Sequence, residues 1–139
     1  MKRNEMETDI SLLGQVLTTG VDIIEIDRIR QSIERWGGKF LNRIYTKEEL
    51  NYCKCRIPSL AGRFAAKEAT MKALGTGTIG VGWKEIEIVR LKGQSPFLKL
   101  HGRACEKAKS LGLNQLAISL SHSKYYAVAT VVGIGQVTH

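Results

Sequence analysis

Apolar residues recur at helical spacing along residues 60–74, and this pattern predicts a long helix. Its large apolar sector, at about 100° per residue, is formed by Leu60, Phe64, Met71 and Leu74. Alanines fill most of the remaining circumference, at positions 61, 65, 66, 69 and 73. A helix that is apolar nearly all round is expected to be buried. It nevertheless carries Glu68 and Lys72 among the alanines and Lys67 within the apolar sector, so its charges need an explanation.

The rest of the chain alternates between strand-like and helical patterns and predicts an α+β fold. Strands are expected over residues 16–26, 85–91 and 97–101, followed by a hairpin of 116–120 and 125–132 that turns across 121–124. Helices are expected over 28–36, capped by Asp27 and stopped by Gly37 and Gly38, and over 103–111, ended by Gly112. Thr46 and Glu49 fit a capping box that opens a short helix toward Cys53.

Length and composition indicate one globular domain. The chain has 139 residues, of which 43% are hydrophobic and 24% charged, and this is enough to bury a real core. We expect residues 1–15 to be an N-terminal extension and residues 16–139 to form the single domain. No apolar run approaches the length of a bilayer span, and the N-terminus lacks the apolar segment of a signal peptide. The expected location is the cytoplasm.

The three cysteines are expected to be reduced thiols. They are Cys53, Cys55 and Cys105, an odd number in a chain without a secretory signal. Cys53 and Cys55 resemble half of a metal site, but no second Cys/His pair with suitable spacing completes it. The favoured interpretation is therefore ordinary loop or helix-end cysteines.

A formal net charge of +8 with a pI near 9.6 predicts an anionic partner or substrate. Nucleic acid, phosphate-rich small molecules and acidic proteins all fit this charge. A basic nucleic-acid-binding module therefore stays open as an alternative, although the few aromatic residues argue against a platform that stacks single strands.

Glu68 and Lys72 have two interpretations. They are four residues apart and could form an intrahelical ion pair, which contributes only a few tenths of a kcal/mol on an exposed face. Burial weakens this interpretation, because taking both charges out of water is costly unless other groups compensate. A divalent cation with phosphates would compensate, since Mg²⁺ is usually held by one or two carboxylates plus substrate phosphates. Asp22, inside a predicted strand where Asp is disfavoured, is either a second metal ligand or a structural cap.

Two segments of the sequence resemble the signatures of the 4′-phosphopantetheinyl transferases. The first is Gly20-Val21-Asp22; the second is Phe64-Ala65-Ala66-Lys67-Glu68-Ala69-Thr70-Met71-Lys72-Ala73, which matches every constrained position of the pattern. Residues 118–123 are similar to the last motif of the family, with Ser123 where Thr is more usual. The resemblance runs from about residue 16 to residue 132. It implies the small trimeric branch, with a small antiparallel sheet, a long helix packed on it, and active sites between subunits.

The resemblance also implies the reaction. Phosphopantetheine would be moved from coenzyme A to a serine of apo acyl carrier protein, with release of adenosine 3′,5′-bisphosphate, in support of fatty acid biosynthesis. Asp22 and Glu68 would hold Mg²⁺, and Glu68 would also accept the serine proton. Lys72 would stabilise charge that develops on the phosphates. Another coenzyme A-dependent acyltransferase, which would need no Mg²⁺, is the second alternative.

Further residues would contact coenzyme A. Backbone N–H groups of Gly75, Thr76 and Gly77 would form an anion-binding nest. Basic or polar side chains at the nucleotide would be Lys54, Arg56, Lys67, Lys72 and His122. For Lys54 and Arg56 the alternative is a solvated loop charge, and for His122 an ordinary turn residue.

The carrier protein is expected to be acidic and to meet the first helix. Arg28 matches a family position at that interface, and Trp36 and Phe64 would add apolar contact. Taken alone, Arg28 is an ordinary surface arginine, and both aromatic residues more often belong to a core. Neither nucleic acid nor a membrane is an expected partner.

Overall fold

The computed structural model describes residues 4–6 and 14–136, so most of the predicted N-terminal extension lies outside the described residues. The described residues form eleven elements in sequence order. In order they are β1 (Gln15–Glu25), α1 (Ile26–Trp36), α2 (Gly38–Ile44), α3 (Lys47–Cys53), α4 (Ile57–Leu74), a 3-10 helix (Trp83–Glu85), β2 (Ile86–Val89), β3 (Phe97–Leu100), α5 (Gly102–Ser110), β4 (Leu113–His122) and β5 (Tyr126–Gln136).

The strands form two antiparallel sheets, whereas one small sheet was expected. The larger has the order β1–β5–β4, and β2 pairs with β3 in the smaller. In the larger sheet, Gly20 lies opposite Val131 and Asp22 opposite Ala129. The predicted α+β architecture is confirmed, and the sheet that carries Asp22 is the one on which the long helix packs.

Helix α4 is the centre of the core, as its apolar circumference predicts. It packs across β1 and β5, and its fully or nearly buried residues include Leu60, Ala65, Ala69, Met71 and Leu74. The helix begins three residues earlier than expected, at Ile57, with Pro58 in the first turn. Proline is tolerated there because its missing N–H would have no intrahelical partner.

Several element boundaries differ from the sequence expectation. Helix α1 begins at Ile26 with Glu25 as its N-cap, so Asp27 lies within the first turn, where it accepts from Arg30 and Gln31. Gly37 ends α1 with φ of 55°, but Gly38 opens the short helix α2, which the pattern did not predict.

The last hairpin is also longer than expected. Its strands β4 and β5 extend over Leu113–His122 and Tyr126–Gln136, which places His122 at the end of a strand rather than in the turn. Among the described residues, no helix is both long and apolar enough to cross a membrane.

Candidate active site

Glycine at position 20 lets strand β1 lie directly against helix α4. A Cβ atom there would stand 1.9 Å from the carbonyl oxygen of Ala69 and 2.9 Å from the backbone N of Ala73. Any side chain at Gly20 would therefore push the strand off the helix. Because the two backbones touch at this point, Asp22 of β1 is brought beside the turn of α4 that carries Glu68 and Lys72.

Lys72 pairs with Asp22 across these two elements. Its Nζ lies 3.2 Å from Oδ1 of Asp22 and donates to the carbonyl oxygen of Val21 at 2.9 Å. The Asp22 side chain is 11% exposed and that of Lys72 55% exposed, so the pair lies at the edge of the core, open to solvent on one side. No ion pair between Glu68 and Lys72 is found in the described part of the chain, and the intrahelical interpretation is therefore not supported.

Glu68 faces the same carboxylate. Partial burial, the negative charge of Asp22 and a hydrogen bond to Asp22 together raise the pKa of Glu68 to about 7, although the charges of Lys72 and Arg28 oppose the shift. Two carboxyl groups this close cannot both ionise freely without a compensating cation. The structure thus brings together the three residues that were predicted to carry the chemistry, Asp22, Glu68 and Lys72.

These carboxylates suit a hard divalent cation. Within residues 4–6 and 14–136, no group of three or more His, Cys, Asp or Glu side chains could hold a metal by itself. Asp22 and Glu68 supply two carboxylates, which is the number Mg²⁺ usually takes from a protein when substrate phosphates and waters complete its shell. A cation between them would also remove the repulsion that raises the pKa of Glu68.

Lys67 points into the core rather than toward Asp22, and its expected contact with coenzyme A is corrected by the structure. Both Lys67 and Glu49 have fully buried side chains, and they form an ion pair with 2.8 Å between Nζ and Oε1. The ammonium also donates to the carbonyl oxygens of Trp83 and Ile86. A lysine has three donors, and all three are used inside the core.

The loop after α4 only partly fits the predicted nest. The N–H of Gly75 donates to the carbonyl of Lys72, and that of Thr76 to the carbonyl of Met71. These bonds cap the C-terminus of the helix, with Gly75 in the left-handed region at φ of 72°. Since their N–H groups are occupied, Gly75 and Thr76 cannot bind an anion in the expected way. For Gly77, which is exposed with φ of 60°, the expectation stays a prediction.

A basic cavity of about 490 Å³ lies beside the N-terminal half of α4. Arg56 and His122, both predicted nucleotide contacts, line it together with Arg63 and Arg90, which the sequence reasoning missed. Arg63 is only 4% exposed. In the described part of the chain its Nε and Nη2 atoms have no hydrogen-bond partner. Its Nη1 donates to the carbonyl of Ser59 at 3.5 Å, and the guanidinium lies 4.5 Å from the ring centroid of Tyr52. Two buried guanidinium nitrogens without acceptors are costly, so this cavity fits an anion.

The sequence contained a signal for Arg63. It stands four residues before Lys67 on a helix that is otherwise apolar nearly all round, and a charge on such a helix needs a partner. Arg90 directly follows β2 and lines the cavity beside the end of β4, which belongs to the other sheet, so nothing local in the sequence distinguished it. Arg63 and Arg90 line the same cavity as His122 because β4 ends beside them.

Arg56 is positioned by the turn that joins α3 to α4. Its Nη2 donates to the carbonyl of Tyr52 and its Nε to that of Cys53. This turn contains two successive non-glycine residues in the left-handed region, Lys54 at φ of 47° and Cys55 at φ of 62°, a conformation that costs energy and is enriched at functional sites. Lys54 is exposed in this turn but does not line the cavity, so its contact with coenzyme A stays a prediction.

The three residues expected to meet a partner have different surroundings. Arg28 is exposed at the start of α1 and close enough to lower the pKa of Glu68. Trp36 is 55% exposed at the end of the same helix, with the Arg35 guanidinium 4.9 Å from its ring centroid. Phe64 is stacked on Trp83 with a centroid distance of 4.9 Å and belongs mainly to an aromatic cluster of the core.

Comparison with known proteins adds independent observations. The family model described as "4′-phosphopantetheinyl transferase superfamily" matches residues 18–131. The holo-[acyl-carrier-protein] synthase of Dehalococcoides mccartyi is 51% identical over 117 residues, which cover 84% of this chain and 98% of that protein. The enzyme of the same name from Herpetosiphon aurantiacus is 47% identical over 127 residues, 86% of this chain and all of that protein.

A solved structure agrees with the fold. The crystal structure of Helicobacter pylori holo-[acyl-carrier-protein] synthase in complex with coenzyme A superposes with a TM-score of 0.75 at 36% identity. The match covers 83% of this chain and 98% of that one. The similarity therefore extends over nearly the whole described chain and includes both predicted signatures.

Proposed function

The chain belongs to the 4′-phosphopantetheinyl transferase superfamily, and from this premise we propose that it converts apo to holo acyl carrier protein with Mg²⁺ held by Asp22 and Glu68. The single observation that carries the proposal is the pairing of these two carboxylates beside Lys72, across β1 and α4. When bound, the cation would neutralise charge on the pyrophosphate of coenzyme A. Support of fatty acid biosynthesis and a cytoplasmic location stay predictions.

The proposed step is a displacement at phosphorus. The serine Oγ of the carrier protein forms a bond to the phosphorus that carries pantetheine, and the pyrophosphate bridge to that phosphorus breaks. Adenosine 3′,5′-bisphosphate leaves, and the serine proton passes to Glu68. A positioned carboxylate can act as the general base for a serine hydroxyl, and Glu68 lies at the proposed cation site beside Asp22. Lys72 aims its ammonium at the same region and stabilises the charge on the leaving phosphate.

Mass spectrometry of the carrier protein tests the proposal directly. Apo acyl carrier protein incubated with the purified chain, coenzyme A and Mg²⁺ should gain the mass of one phosphopantetheine group. A carrier protein that gains an acyl group instead would favour the acyltransferase alternative. No change in mass, together with binding to nucleic acid that weakens steeply with salt, would favour the nucleic-acid-binding alternative.

The cation and a proton compete for Glu68, and this predicts a pH dependence. Below pH 7 the carboxyl is mostly protonated, because its pKa is raised to about 7, and a ligand must lose its proton before it binds a metal. The apparent affinity for Mn²⁺, used as a spectroscopic probe, should fall about tenfold per pH unit below pH 7 and level off above it. Titrations followed by electron paramagnetic resonance measure this affinity, and a flat profile between pH 5.5 and 8 would contradict the assignment.

The basic cavity is proposed to receive the 3′-phosphate of coenzyme A. The unpaired nitrogens of Arg63 point to an anion, and hydrogen bonds to charged groups contribute about 1.5–3 kcal/mol. Arg63→Met should therefore raise the KM for coenzyme A by roughly ten- to hundredfold. With 3′-dephospho-coenzyme A as substrate, the variant and the wild-type chain should have similar KM values. An equal loss with both substrates would place the 3′-phosphate elsewhere.

Arg28 is proposed to attract the acidic carrier protein. It is exposed next to the carboxylates, where the carrier serine must arrive. Arg28→Glu should raise the KM for the carrier protein several-fold and leave the KM for coenzyme A within about twofold, because charge reversal acts mainly on encounter with the charged partner. Lys109→Glu, an exposed charge reversal on α5, is the matched control. Equal KM values for the two variants would remove Arg28 from the interface.

A homotrimer with active sites between subunits is proposed from the resemblance, and one surface supports self-association. The face of the larger sheet that points away from α4 exposes a row of apolar side chains on β1 and β5: Leu17, Val21, Ile23, Val132 and Ile134. A contiguous exposed apolar patch of this kind is typical of a protein interface. Analytical ultracentrifugation measures the assembly directly.

A further inference from the structure

A buried polar cluster lies in the core between α3, α4 and the start of β2, and it takes no direct part in the proposed reaction. We refer to Glu49, Lys67 and the carbonyl groups of Trp83 and Ile86 as the clamp. The Lys67 ammonium lies 2.8 Å from Oε1 of Glu49, 2.9 Å from the oxygen of Trp83 and 2.5 Å from that of Ile86. Each of its three donors therefore has an acceptor.

Glu49 is itself held firmly from two sides. Its Oε1 accepts from the backbone N–H of Thr46 at 2.8 Å, as the capping box predicts, and its Oε2 accepts from the N–H of Ile88 at 3.0 Å. The carboxylate thus links the start of α3 to strand β2, in addition to its ion pair with Lys67. A charge fixed in this way holds its partner in one place.

The clamp is adjacent in the chain to both parts of the candidate site. Lys67 directly precedes Glu68 on α4, and successive residues of a helix are fixed about 100° apart. Anchoring Lys67 in the core therefore adds to the contact at Gly20 a second restraint on the rotation of α4, the rotation that aims Glu68 at Asp22. The same ammonium binds Trp83 and Ile86, which follow the loop of residues 75–82 and so tie down its far end.

We propose that Glu49 is a positioning residue, which acts through Lys67 to hold Glu68 and the loop of residues 75–82 in their working places. The catalytic consequence rests on the proposed function, whereas the mechanical role does not. A purely structural clamp would stabilise the fold and nothing else. The two roles are separable because stability and positioning respond differently when the pair is replaced.

The variant that separates them removes both charges together. Loss of one partner alone leaves a buried charge uncompensated and is strongly destabilising, whereas replacing a whole buried ion pair is often neutral. Glu49→Gln combined with Lys67→Met keeps the volume and removes the ion pair and the bonds to Trp83 and Ile86. Glu48→Gln, an exposed carboxylate one residue away, is the matched control.

We expect the double variant to fold with a lower melting temperature than the wild-type chain. The amide of glutamine can accept only one of the two backbone N–H bonds that Glu49 accepts, and the carbonyls of Trp83 and Ile86 lose the lysine donor. Hydrogen exchange of residues 75–86 should become faster, and kcat at saturating substrates should fall at least about tenfold, since displacements of about 1 Å at a reacting centre commonly cost about a hundredfold. The KM for the carrier protein should change less than about twofold, because α1 is untouched. The control should match the wild-type chain in every measurement.

Unchanged exchange of residues 75–86, or a kcat within twofold of wild type in the folded double variant, would overturn the proposal. If the double variant does not fold, Glu49→Asp decides, since it keeps the charge but withdraws the carboxylate from Nζ. It should then show the same faster exchange and lower kcat. A wild-type chain without transferase activity would contradict the proposed function alone, and the exchange measurements would still test the clamp.

Discussion

Replacing Glu68 by glutamine or Asp22 by asparagine should abolish nearly all turnover in a chain that still folds. Each change removes one of the two carboxylates proposed to hold the cation. Glu68→Gln also removes the proposed proton acceptor, a loss that typically lowers rates by about 10²–10⁴-fold. The rate of phosphopantetheine transfer, followed by mass spectrometry of the carrier protein, measures both effects.

The controls for this prediction are an exposed carboxylate and a chelator. Glu106→Gln alters an exposed residue of α5 and should leave the rate unchanged. EDTA should stop the wild-type reaction, and excess Mg²⁺ should restore it. If transfer persists in EDTA, or if both site variants turn over at the wild-type rate, the metal assignment is wrong.

Stability should move in the opposite direction to activity. Because the pKa of Glu68 is raised from 4.5 to about 7 in the folded chain, the folded state holds its proton more tightly than the unfolded state. In the absence of a cation, the wild-type chain therefore loses stability as the pH rises from 4.5 to about 7. Glu68→Gln does not ionise, so its advantage over wild type should grow across that range and be absent below it. A variant that gains stability while it loses activity identifies Glu68 as a functional carboxylate, because replacing a structural carboxylate would lower stability.

Local patterns predicted the parts of the fold that depend on neighbours in the sequence. The apolar circumference of α4 predicted its burial, and the spacing of Thr46 and Glu49 predicted the capping box, which the structure contains. Helix α2 was missed because Gly38, a residue that normally stops a helix, begins it. A glycine that ends one helix with positive φ leaves the next residue free to start another.

Distant pairings could not be predicted in the same way. The family resemblance implied that Lys67 contacts coenzyme A, whereas in the structure its ammonium pairs with Glu49. The local pattern had already explained Glu49 as a capping residue, so it did not indicate this second contact. The partner of Lys72 is fifty residues away in β1 rather than one helical turn away. Lys72 pairs with Asp22 because β1 and α4 lie in backbone contact at Gly20. The pattern of a single sequence does not indicate how close two such elements lie.

Lys72→Ala should lower kcat by roughly a hundred- to thousandfold. Its ammonium stands beside Asp22 and reaches solvent on its other side, where the pyrophosphate of coenzyme A would lie. Removing one group that stabilises transition-state charge costs about 2.7–4 kcal/mol in comparable sites. If Lys72 served only as an ion pair with Asp22, its loss would cost about 0–1 kcal/mol of stability and leave the rate unchanged.

Lys72→Arg provides the sharper comparison. Arginine keeps the charge, but its planar group is bulkier and aims its donors differently from a compact ammonium, so it should restore little of the lost rate if position matters. Lys47→Ala, which removes an exposed lysine from α3, controls for net charge. Circular dichroism confirms folding, and steady-state kinetics at saturating substrates gives kcat. The two hypotheses predict values of kcat for Lys72→Ala that differ by at least about two orders of magnitude. If kcat falls less than twofold, Lys72 serves only as the ion-pair partner of Asp22 and does not stabilise charge on the phosphates.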